Sequence, residues 1–249
     1  YLLLQQGHAT LADIPKLLVD PEFREKCRLR TNEESVQNFW NNEFPKYRSD
    51  AILPLLSQLG FILNHPAIRR TIVAPKVDIN LRYMIDHKKI ILISISKGRL
   101  GNDVSALIGS LLVTSLTIAV YSRADTPEWK RAYCSLYLDE FQNFNVSSIV
   151  GAFAEVRKYN LAITVATQRL SSLKDEIAAA TIANVGSLFT FRVSYDEARA
   201  LAKYLQPSFK AEDIVRLPNY HLVISMMING SICLPFLAMT ATYRDIFFK

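Results

Sequence analysis

The spacing of apolar residues divides the chain into a front part with helical periodicity and a later part in which short apolar runs alternate with helices. The front stretches with apolar residues three or four positions apart are residues 10–19, 21–28, 31–47 and 51–64. Thr31 and Glu34 have the spacing of a capping box, which predicts the start of the third helix. Pro54 lies near the start of the fourth, where a proline is tolerated. The pattern predicts a helical segment over residues 1–75.

From about residue 76 the pattern is that of strands alternating with helices. The short apolar runs that predict strands are residues 89–96, 134–139, 161–167 and 187–193. The stretches that predict helices are residues 103–122, 147–158, 171–184 and 196–205. Two further runs, 221–228 and 231–236, flank Asn229–Gly230 and predict a terminal hairpin. Apolar strands linked by helices are typical of a mostly parallel, helix-covered sheet, so residues 76–249 are predicted to form an α/β core.

One helical stretch imitates a membrane span, because the 19 residues from Val104 to Ser122 carry no charge. The stretch also contains several serines and threonines and a glycine, and Asp103 stands where it can cap a helix. A helix that is buried on most of its faces inside an α/β domain gives the same pattern. The sequence favours this buried helix, and with it no membrane span within the chain.

Composition narrows the class of protein. Of the 249 residues, 50% are hydrophobic and 21% are charged, which suits a globular chain and excludes a disordered or low-complexity one. The net charge of +6 is compatible with a polyanionic partner such as nucleic acid. The three cysteines and four histidines are scattered without metal-ligand spacing, so we expect reduced thiols, a cytosolic setting and no metal site made of these residues.

Polar side chains follow three of the predicted strands at the points where the strands end. The paired carboxylates Asp139–Glu140 close one run, Thr167–Gln168 follows the next, and Arg192 stands near the end of the third. In a parallel α/β sheet, ligands bind beyond the carboxyl ends of the strands. The sequence therefore predicts that these groups share one site.

An apolar strand that ends in Asp-Glu is the Walker B pattern of P-loop proteins that hydrolyse nucleotides. In that pattern the Asp helps to hold Mg²⁺, usually through water, and the Glu accepts a proton from the water that attacks the γ-phosphate. The alternative is structural, since carboxylates are also favoured at helix N-termini. The phosphate loop, G-x-x-x-x-G-K-[ST], does not occur in the sequence. The glycine-containing stretch 96–103 lacks the Lys-Ser/Thr end, and we interpret it as a flexible turn with Asp103 as a helix cap.

Four stretches carry a resemblance to a known family: YLDEFQNF, EVRKYNLAITVATQ, IANVGSLFTFRVSYDEA and LPNYHLVISMMING. In order and approximate spacing they resemble the motor portion of the HerA/FtsK-like P-loop ATPases, and most of all the conjugative coupling proteins of type IV secretion, the TraD/TraG type. The resemblance covers about residues 76–240. It implies a RecA-like P-loop NTPase core that binds ATP and Mg²⁺, with residues 1–75 similar to the helical insertion of that family.

The resemblance assigns a role to each polar group. It makes Asp139 the aspartate on the Mg²⁺ side, acting through water, and Glu140 the catalytic glutamate. Gln168 matches the glutamine that senses the γ-phosphate. Arg157 matches the arginine finger that reaches the ATP of a neighbouring subunit, although a basic residue near a helix end can also serve the helix dipole alone. Arg192 is a second candidate for binding beside the phosphates.

The resemblance also implies a function, which is that of an ATP-driven DNA translocase or coupling protein. Such a protein works as a homo-oligomeric ring, a hexamer, that pumps DNA in conjugation or type IV secretion, with relaxosome or secretion-channel proteins as further partners. Lys97 and Arg99 are candidates for contact with DNA. We expect a cytoplasmic location, at the inner face of the bacterial inner membrane through a region outside this chain.

The missing phosphate loop leaves two expectations. The first is that the chain begins downstream of its own P-loop and lacks the P-loop strand, so that it is an ATPase only within a longer protein and inactive alone. The second is that the lineage has lost the loop. The alternative function, from a different class, is a non-catalytic α/β binding module that docks a partner or nucleic acid and keeps a degenerate nucleotide site.

Overall fold

The computed structural model describes residues 1–7, 9–73, 79–144 and 155–241. The α-helices are α1 (Asp13–Val19), α2 (Pro21–Arg28), α3 (Glu34–Asn38), α4 (Ser49–Leu63), α5 (Pro66–Ile68), α6 (Leu81–Asp86), α7 (Lys97–Leu100), α8 (Asn102–Tyr121), α9 (Asp175–Asn184), α10 (Tyr195–Leu205) and α11 (Ala211–Val215). The strands are β1 (Cys134–Leu138), β2 (Leu161–Val165), β3 (Leu188–Thr190), β4 (His221–Ser225), β5 (Met227–Ile228), β6 (Ser231–Ile232) and β7 (Phe236–Met239). The predicted helix 147–158 falls mainly on residues outside the described ranges.

The contacts of the chain group into two units. The first unit comprises Tyr1–Leu81 with Ile91–Leu111, and the second comprises Arg82–Ile90 with Leu112–Lys249. The described part of the first unit is helical, with a small buried cluster formed by Leu2, Leu17 and Cys27. The domain boundary that the sequence predicts at residues 75 and 76 stays a prediction.

The predicted helix over residues 31–47 is broken into pieces and lacks the predicted capping box. Helix α3 begins at Glu34, with Glu33 at the capping position, and continues as π-helical and 3-10 turns up to Lys46. The Thr31 hydroxyl accepts a hydrogen bond from the backbone N of Glu33 at 3.4 Å and caps no helical N–H. The capping-box prediction is wrong because the helix begins further along the chain than a cap at Thr31 requires.

The predicted strand over residues 89–96 is also wrong. The segment has no regular secondary structure, and none of the described strands pairs with it. Its apolar side chains face solvent, with exposed fractions of 91% at Ile90 and 92% at Leu92. A strand needs partners for its N–H and C=O groups, and the apolar run does not reveal whether such partners are present.

The glycine-containing stretch after this segment is helical rather than a flexible turn. Lys97–Leu100 form α7, and Gly101 ends the helix at a positive φ of 77°, which glycine adopts without the strain of a side chain. Lys97 and Arg99, the candidates for contact with DNA, are both exposed.

Helix α8 is less buried than the sequence predicts. Within the described residues, the stretch Asn102–Asp125 is long and apolar enough to cross a membrane, with a mean hydropathy of 1.9, and 39% of its most apolar window is buried. A bent pair, Asp50–Leu63 with Pro66–Val73, passes the same test only if its two pieces are counted as one span. Val113 of α8 is buried. The expected burial of α8 on most of its faces is therefore met only in part.

Strands β1 and β2 form the parallel pair that the strand–helix alternation predicts. Their register sets Leu138 opposite Val165. Leu138 packs in a buried cluster with Val113 of α8 and Ile177 of α9, while Leu161 at the other end of the pair belongs to a second cluster. The carboxyl ends of parallel strands lie at the same edge of a sheet, so the residues that follow Leu138 and Val165 are neighbours.

The fourth predicted strand, residues 187–193, belongs to an antiparallel sheet instead of the predicted parallel one. Strand β3 pairs antiparallel with β4, and β4 pairs antiparallel with β7. The register sets Thr190 opposite Val223, which is buried with Leu205 of α10 and Ile214 of α11. The α/β fold class is confirmed, whereas parallel pairing is confined, among the described strands, to β1 and β2.

The terminal hairpin is confirmed. Strands β5 and β6 pair antiparallel, and Asn229 and Gly230 between them have φ angles of 50° and 83°. Two positive φ angles in a two-residue loop are the mark of a type I′ turn, which an Asn-Gly sequence favours. Strands β4 and β7 continue the two arms of this hairpin into the larger sheet.

Candidate functional site

Glu140 follows β1 in a backbone conformation that residues with side chains rarely adopt. Its φ of 53° and ψ of 47° are left-handed, which costs roughly 1–2 kcal/mol. Such strain persists only where surrounding contacts impose it, and it concentrates at functional sites. Here the next residue, Phe141, is buried in the cluster of Leu138, and its backbone N donates to the carbonyl of Ala166 at 2.8 Å. The packing of Phe141 thus fixes the turn that carries Glu140.

Both carboxylate oxygens of Glu140 accept hydrogen bonds from glutamine amides. Gln168 Nε2 donates to Oε1 at 2.5 Å, and Gln142 Nε2 donates to Oε2. The Thr167 hydroxyl in turn donates to Gln142 Oε1 at 2.7 Å. The structure therefore brings together the polar groups that follow β1 and β2, which the sequence places 28 positions apart.

Asp139 lies beside this group as an exposed carboxylate. Its Oδ1 accepts the backbone N–H of Glu140 at 2.9 Å. Mg²⁺ prefers oxygen ligands and is commonly held by one or two carboxylates together with substrate phosphates, and the donor set of Asp139, Glu140 and Thr167 fits that use. Within the described residues, no cluster of three or more His, Cys, Asp or Glu side chains could hold a metal by itself.

Arg157 is exposed on the 3-10 turn Val156–Tyr159 that leads into β2. In the described part of the chain it makes no hydrogen bond to Glu140 or Gln168, which bond to each other and, for Glu140, to Gln142. The structure thus separates Arg157 from the group at the sheet edge and presents it to solvent.

Two other arginines tie down the turn that carries Arg157. Arg123 is fully buried, and its Nη1 donates to the carbonyl of Tyr159 at 3.1 Å. Arg131 donates from Nη1 to the carbonyl of Lys158, and its guanidinium lies over the Tyr159 ring, 5.0 Å from the ring centre. These contacts hold two consecutive carbonyls of the turn in place.

The buried charge of Arg123 is compensated on its other side. Its Nε lies 3.1 Å from Asp86 Oδ1, close enough for charge pairing but too poorly aligned for a hydrogen bond. Its Nη2 donates to the carbonyl of Ala132 at 2.6 Å. A buried guanidinium with this many partners is costly to replace, because each partner then loses its contact with the charged group.

Arg192 lies with a different part of the chain. Its Nη2 donates to Asn219 Oδ1 at 2.9 Å, and its Nη1 lies 3.5 Å from the carbonyl of Leu217. Both acceptors belong to the loop before β4. Arg192 makes no hydrogen bond to the Glu140 group among the described residues.

A buried carboxylate on α10 holds the loop that follows Gln168. Glu197 is only 6% exposed, and its two carboxylate oxygens accept the backbone N–H groups of Leu170 and Ser171, each at 3.0 Å. Burial by itself raises the pKa of Glu197, but the hydrogen bonds from Ser171 and Leu170, with the charge of Arg169, hold that pKa below its ordinary value. Glu197 therefore serves as an ionised acceptor for this loop.

Gln142 and Glu197 are the residues of this arrangement that sequence reasoning misses. Gln142 stands two positions after Glu140, and a polar residue so close to the acidic pair is a usable signal. Glu197 carries no such signal, since acidic residues in the first turn of a helix are common for electrostatic reasons. Contacts between distant segments decide its role, and periodicity does not predict such contacts.

Solved structures share the fold of this chain. The bacterial conjugative coupling protein TrwBΔN70, in its unbound monoclinic form, superposes with a TM-score of 0.67 at 15% identity over 93% of this chain and 58% of its own. TrwB in complex with the non-hydrolysable GTP analogue GDPNP superposes with a TM-score of 0.67 at 16% identity, over 94% of this chain and 59% of its own. TrwB in complex with ADP and Mg²⁺ superposes with a TM-score of 0.67 at 16% identity, over 92% of this chain and 58% of its own.

At this level of identity the likeness establishes the fold. The chain has the RecA-like P-loop NTPase fold, and the predicted resemblance to coupling proteins is confirmed in that respect. The chain spans less than two thirds of the length of the TrwB chains. Its sequence matches no protein-family model and no curated protein.

Proposed function

We propose that this chain, which shares the RecA-like P-loop NTPase fold of the coupling protein TrwB, is part of an ATP-driven DNA translocase and forms the Walker B half of its ATPase site. The observation that carries the proposal is the hydrogen bond between Glu140 and Gln168 at the shared edge of β1 and β2. This edge of parallel strands is where α/β proteins bind ligands. The TrwB complexes with GDPNP, and with ADP and Mg²⁺, support a nucleotide and Mg²⁺ as the ligands.

The three strand-end side chains divide the work of hydrolysis. Asp139 offers an exposed carboxylate that suits Mg²⁺, through water. Glu140 accepts the proton of the attacking water on a carboxylate that two amides hold in position. Gln168 orients that carboxylate and is the group that responds to the γ-phosphate. Bound ATP and Mg²⁺ supply the phosphoryl group and the charge that neutralises it.

Arg157 and Arg192 receive different parts in this proposal. Arg157 is exposed on a firmly held turn, and a guanidinium is always charged and offers a planar fork of donors to phosphate oxygens. It suits an arginine finger that reaches the ATP of the next subunit in a hexameric ring. Arg192 is engaged with Asn219, so we assign it to the support of the loop before β4 rather than to the nucleotide.

The remaining parts of the proposal concern the whole protein. G-x-x-x-x-G-K-[ST] does not occur in this sequence, and we propose that a part of the protein outside it supplies the phosphate loop. The positive net charge and the exposed Lys97 and Arg99 suit contacts to DNA phosphates, which do not depend on base sequence. Relaxosome or secretion-channel proteins are the proposed further partners, and the cytoplasmic face of the bacterial inner membrane is the proposed location.

The test is DNA-stimulated ATP hydrolysis by the complete gene product with Glu140→Gln. Loss of a general base typically costs about 10²–10⁴-fold, so we expect kcat to fall by at least about 10² while ADP still binds. Glu128→Gln is the matched control, since it removes an exposed carboxylate from the turn before β1. Unchanged hydrolysis in Glu140→Gln, or none in the wild type, contradicts the proposal and leaves a non-catalytic binding module as the function.

A further inference from the structure

We infer that Glu197 is a positioning residue for the loop Thr167–Leu173, which it anchors to α10 so that Gln168 meets Glu140 in a fixed place. This inference rests on the proposed ATPase site. It assigns a part in that site to a residue from the antiparallel half of the second unit, although among the described residues Glu197 makes no hydrogen bond to Glu140 or Gln168.

The near end of the loop is bound to the site itself. Gln168 Nε2 donates to Glu140 Oε1 at 2.5 Å. The Thr167 hydroxyl lies 2.7 Å from Gln142 Oε1 and 3.0 Å from the carbonyl of Arg169. The position of this end therefore decides how the Gln168 amide meets the Glu140 carboxylate.

The far end of the loop is bound to Glu197. The first backbone N–H groups of a helical turn have no partner within the turn, and in the 3-10 turn Leu170–Ser172 two of them donate to the Glu197 carboxylate. The Ser172 hydroxyl closes the turn by donating to the carbonyl of Arg169 at 2.6 Å. Leu173 then enters the buried cluster that contains Phe141. One carboxylate thus fixes the stretch of backbone two residues beyond Gln168.

The burial of Glu197 distinguishes it from an ordinary acidic residue at a helix start. Asp196 stands in the same first turn of α10 but is exposed. An interaction with the helix dipole needs no burial and is met equally well by an exposed carboxylate. Burying a charge is costly unless strong hydrogen bonds satisfy it, and the loop provides two of them.

The first test measures the loop itself in the complete gene product. Glu197→Gln keeps the shape of the side chain but replaces one carboxylate oxygen by an amide that cannot accept. We expect hydrogen exchange at the amides of Leu170 and Ser171 to become at least about 10-fold faster, because a charge-assisted hydrogen bond is lost. Asp196→Asn, which removes one charge from the same helical turn, leaves that exchange unchanged.

The second test measures hydrolysis by the same proteins. Glu197→Gln is expected to lower kcat about 10-fold with the KM for ATP within about twofold, since positioning is lost and binding is not. In a Gln168→Ala background the same change adds little, because two residues that act through one contact are not additive. Should Glu197→Gln fail to fold, Glu197→Asp keeps the charge and withdraws it by one methylene, with the same expectations.

The outcomes separate this inference from the proposed function. Equal exchange and equal kcat in Glu197→Gln and Asp196→Asn overturn the inference, and so does a full, additive loss in the Gln168→Ala background. Full hydrolysis in Glu140→Gln overturns the proposed function instead, and the exchange measurement then still decides whether Glu197 anchors the loop.

Discussion

The residues that follow the strands have different kinds of hydrogen-bond partner in the parallel pair β1–β2 and in the antiparallel sheet β3–β4–β7. Gln168 follows β2, which ends at the same edge as β1, and it bonds to Glu140. Arg192 follows β3, which ends beside the start of β4, and it bonds to Asn219 just before β4. Both are polar side chains that come shortly after an apolar strand, and the pairing of their strands in two separate sheets gives them different partners.

This difference shows when a strand end is evidence for a site. Parallel strands gather the residues that follow them at one edge, where side chains from separate segments can meet a ligand. The residues that follow an antiparallel strand lie beside the segment that leads into its partner strand. Arg192 after β3 lies in this way beside Leu217 and Asn219, which precede β4. A polar residue after an antiparallel strand therefore more readily serves the fold.

The largest expected difference concerns two arginines that each hold a loop. Arg123→Met should lower the free energy of unfolding by about 2–4 kcal/mol, because it removes two charge-assisted hydrogen bonds to part-buried carbonyl groups and the ion pair to Asp86. Arg192→Met should cost under about 1 kcal/mol, because its hydrogen bonds are exposed to water. Urea titration of the chain measures both, and equal costs would refute the distinction.

The next difference concerns hydrolysis by the complete gene product. Gln168→Ala should lower kcat by about 10²-fold, the usual effect of losing one positioned group beside a reacting phosphoryl centre. Arg192→Ala should stay within about threefold of the wild type, because its partners are structural. If Arg192→Ala proves as damaging as Gln168→Ala, then Arg192 acts on the nucleotide and the comparison of strand ends fails.

The smallest expected effect is a pH dependence of stability. The pKa of Glu197 is held below its ordinary value of 4.5, so its contribution to stability is complete above that value and is lost as the pH falls through the lowered pKa. Glu197→Gln removes this contribution. Urea midpoints measured from pH 7 down to pH 3 should therefore fall less steeply in Glu197→Gln than in the wild type. Asp196→Asn is the control, because it removes an exposed carboxylate from the same helical turn.

The sequence correctly predicts that the residues after β1 and β2 are neighbours. Asp139, Glu140 and Gln168 stand out in the sequence because they follow mostly apolar strands, and the parallel register brings Glu140 and Gln168 together. The roles of these residues stay predictions. The approximate bounds of β1, β2 and α10 also follow from periodicity, because burial on a sheet face or a helix face imposes it.

The rest depends on partners that lie far away in the sequence. Residues 89–96 have the composition of a strand, but no strand pairs with them in the described structure. Nothing in the sequence of β3 indicates that it pairs antiparallel with β4. The contacts of Gln142 and Glu197 join segments that periodicity treats separately. Pairing and side-chain contact are tertiary events, and propensity carries little information about either.

The most direct test of the account is a crystal structure of the complete gene product with Mg²⁺ and a non-hydrolysable ATP analogue. We expect the γ-phosphate at the edge shared by β1 and β2, with Asp139 about 4 Å from the metal through a bound water and the side chains of Glu140 and Gln168 facing the phosphate. Phosphates bound elsewhere, with Asp139 more than about 10 Å from the metal, would contradict the central claim that this edge is the hydrolytic site.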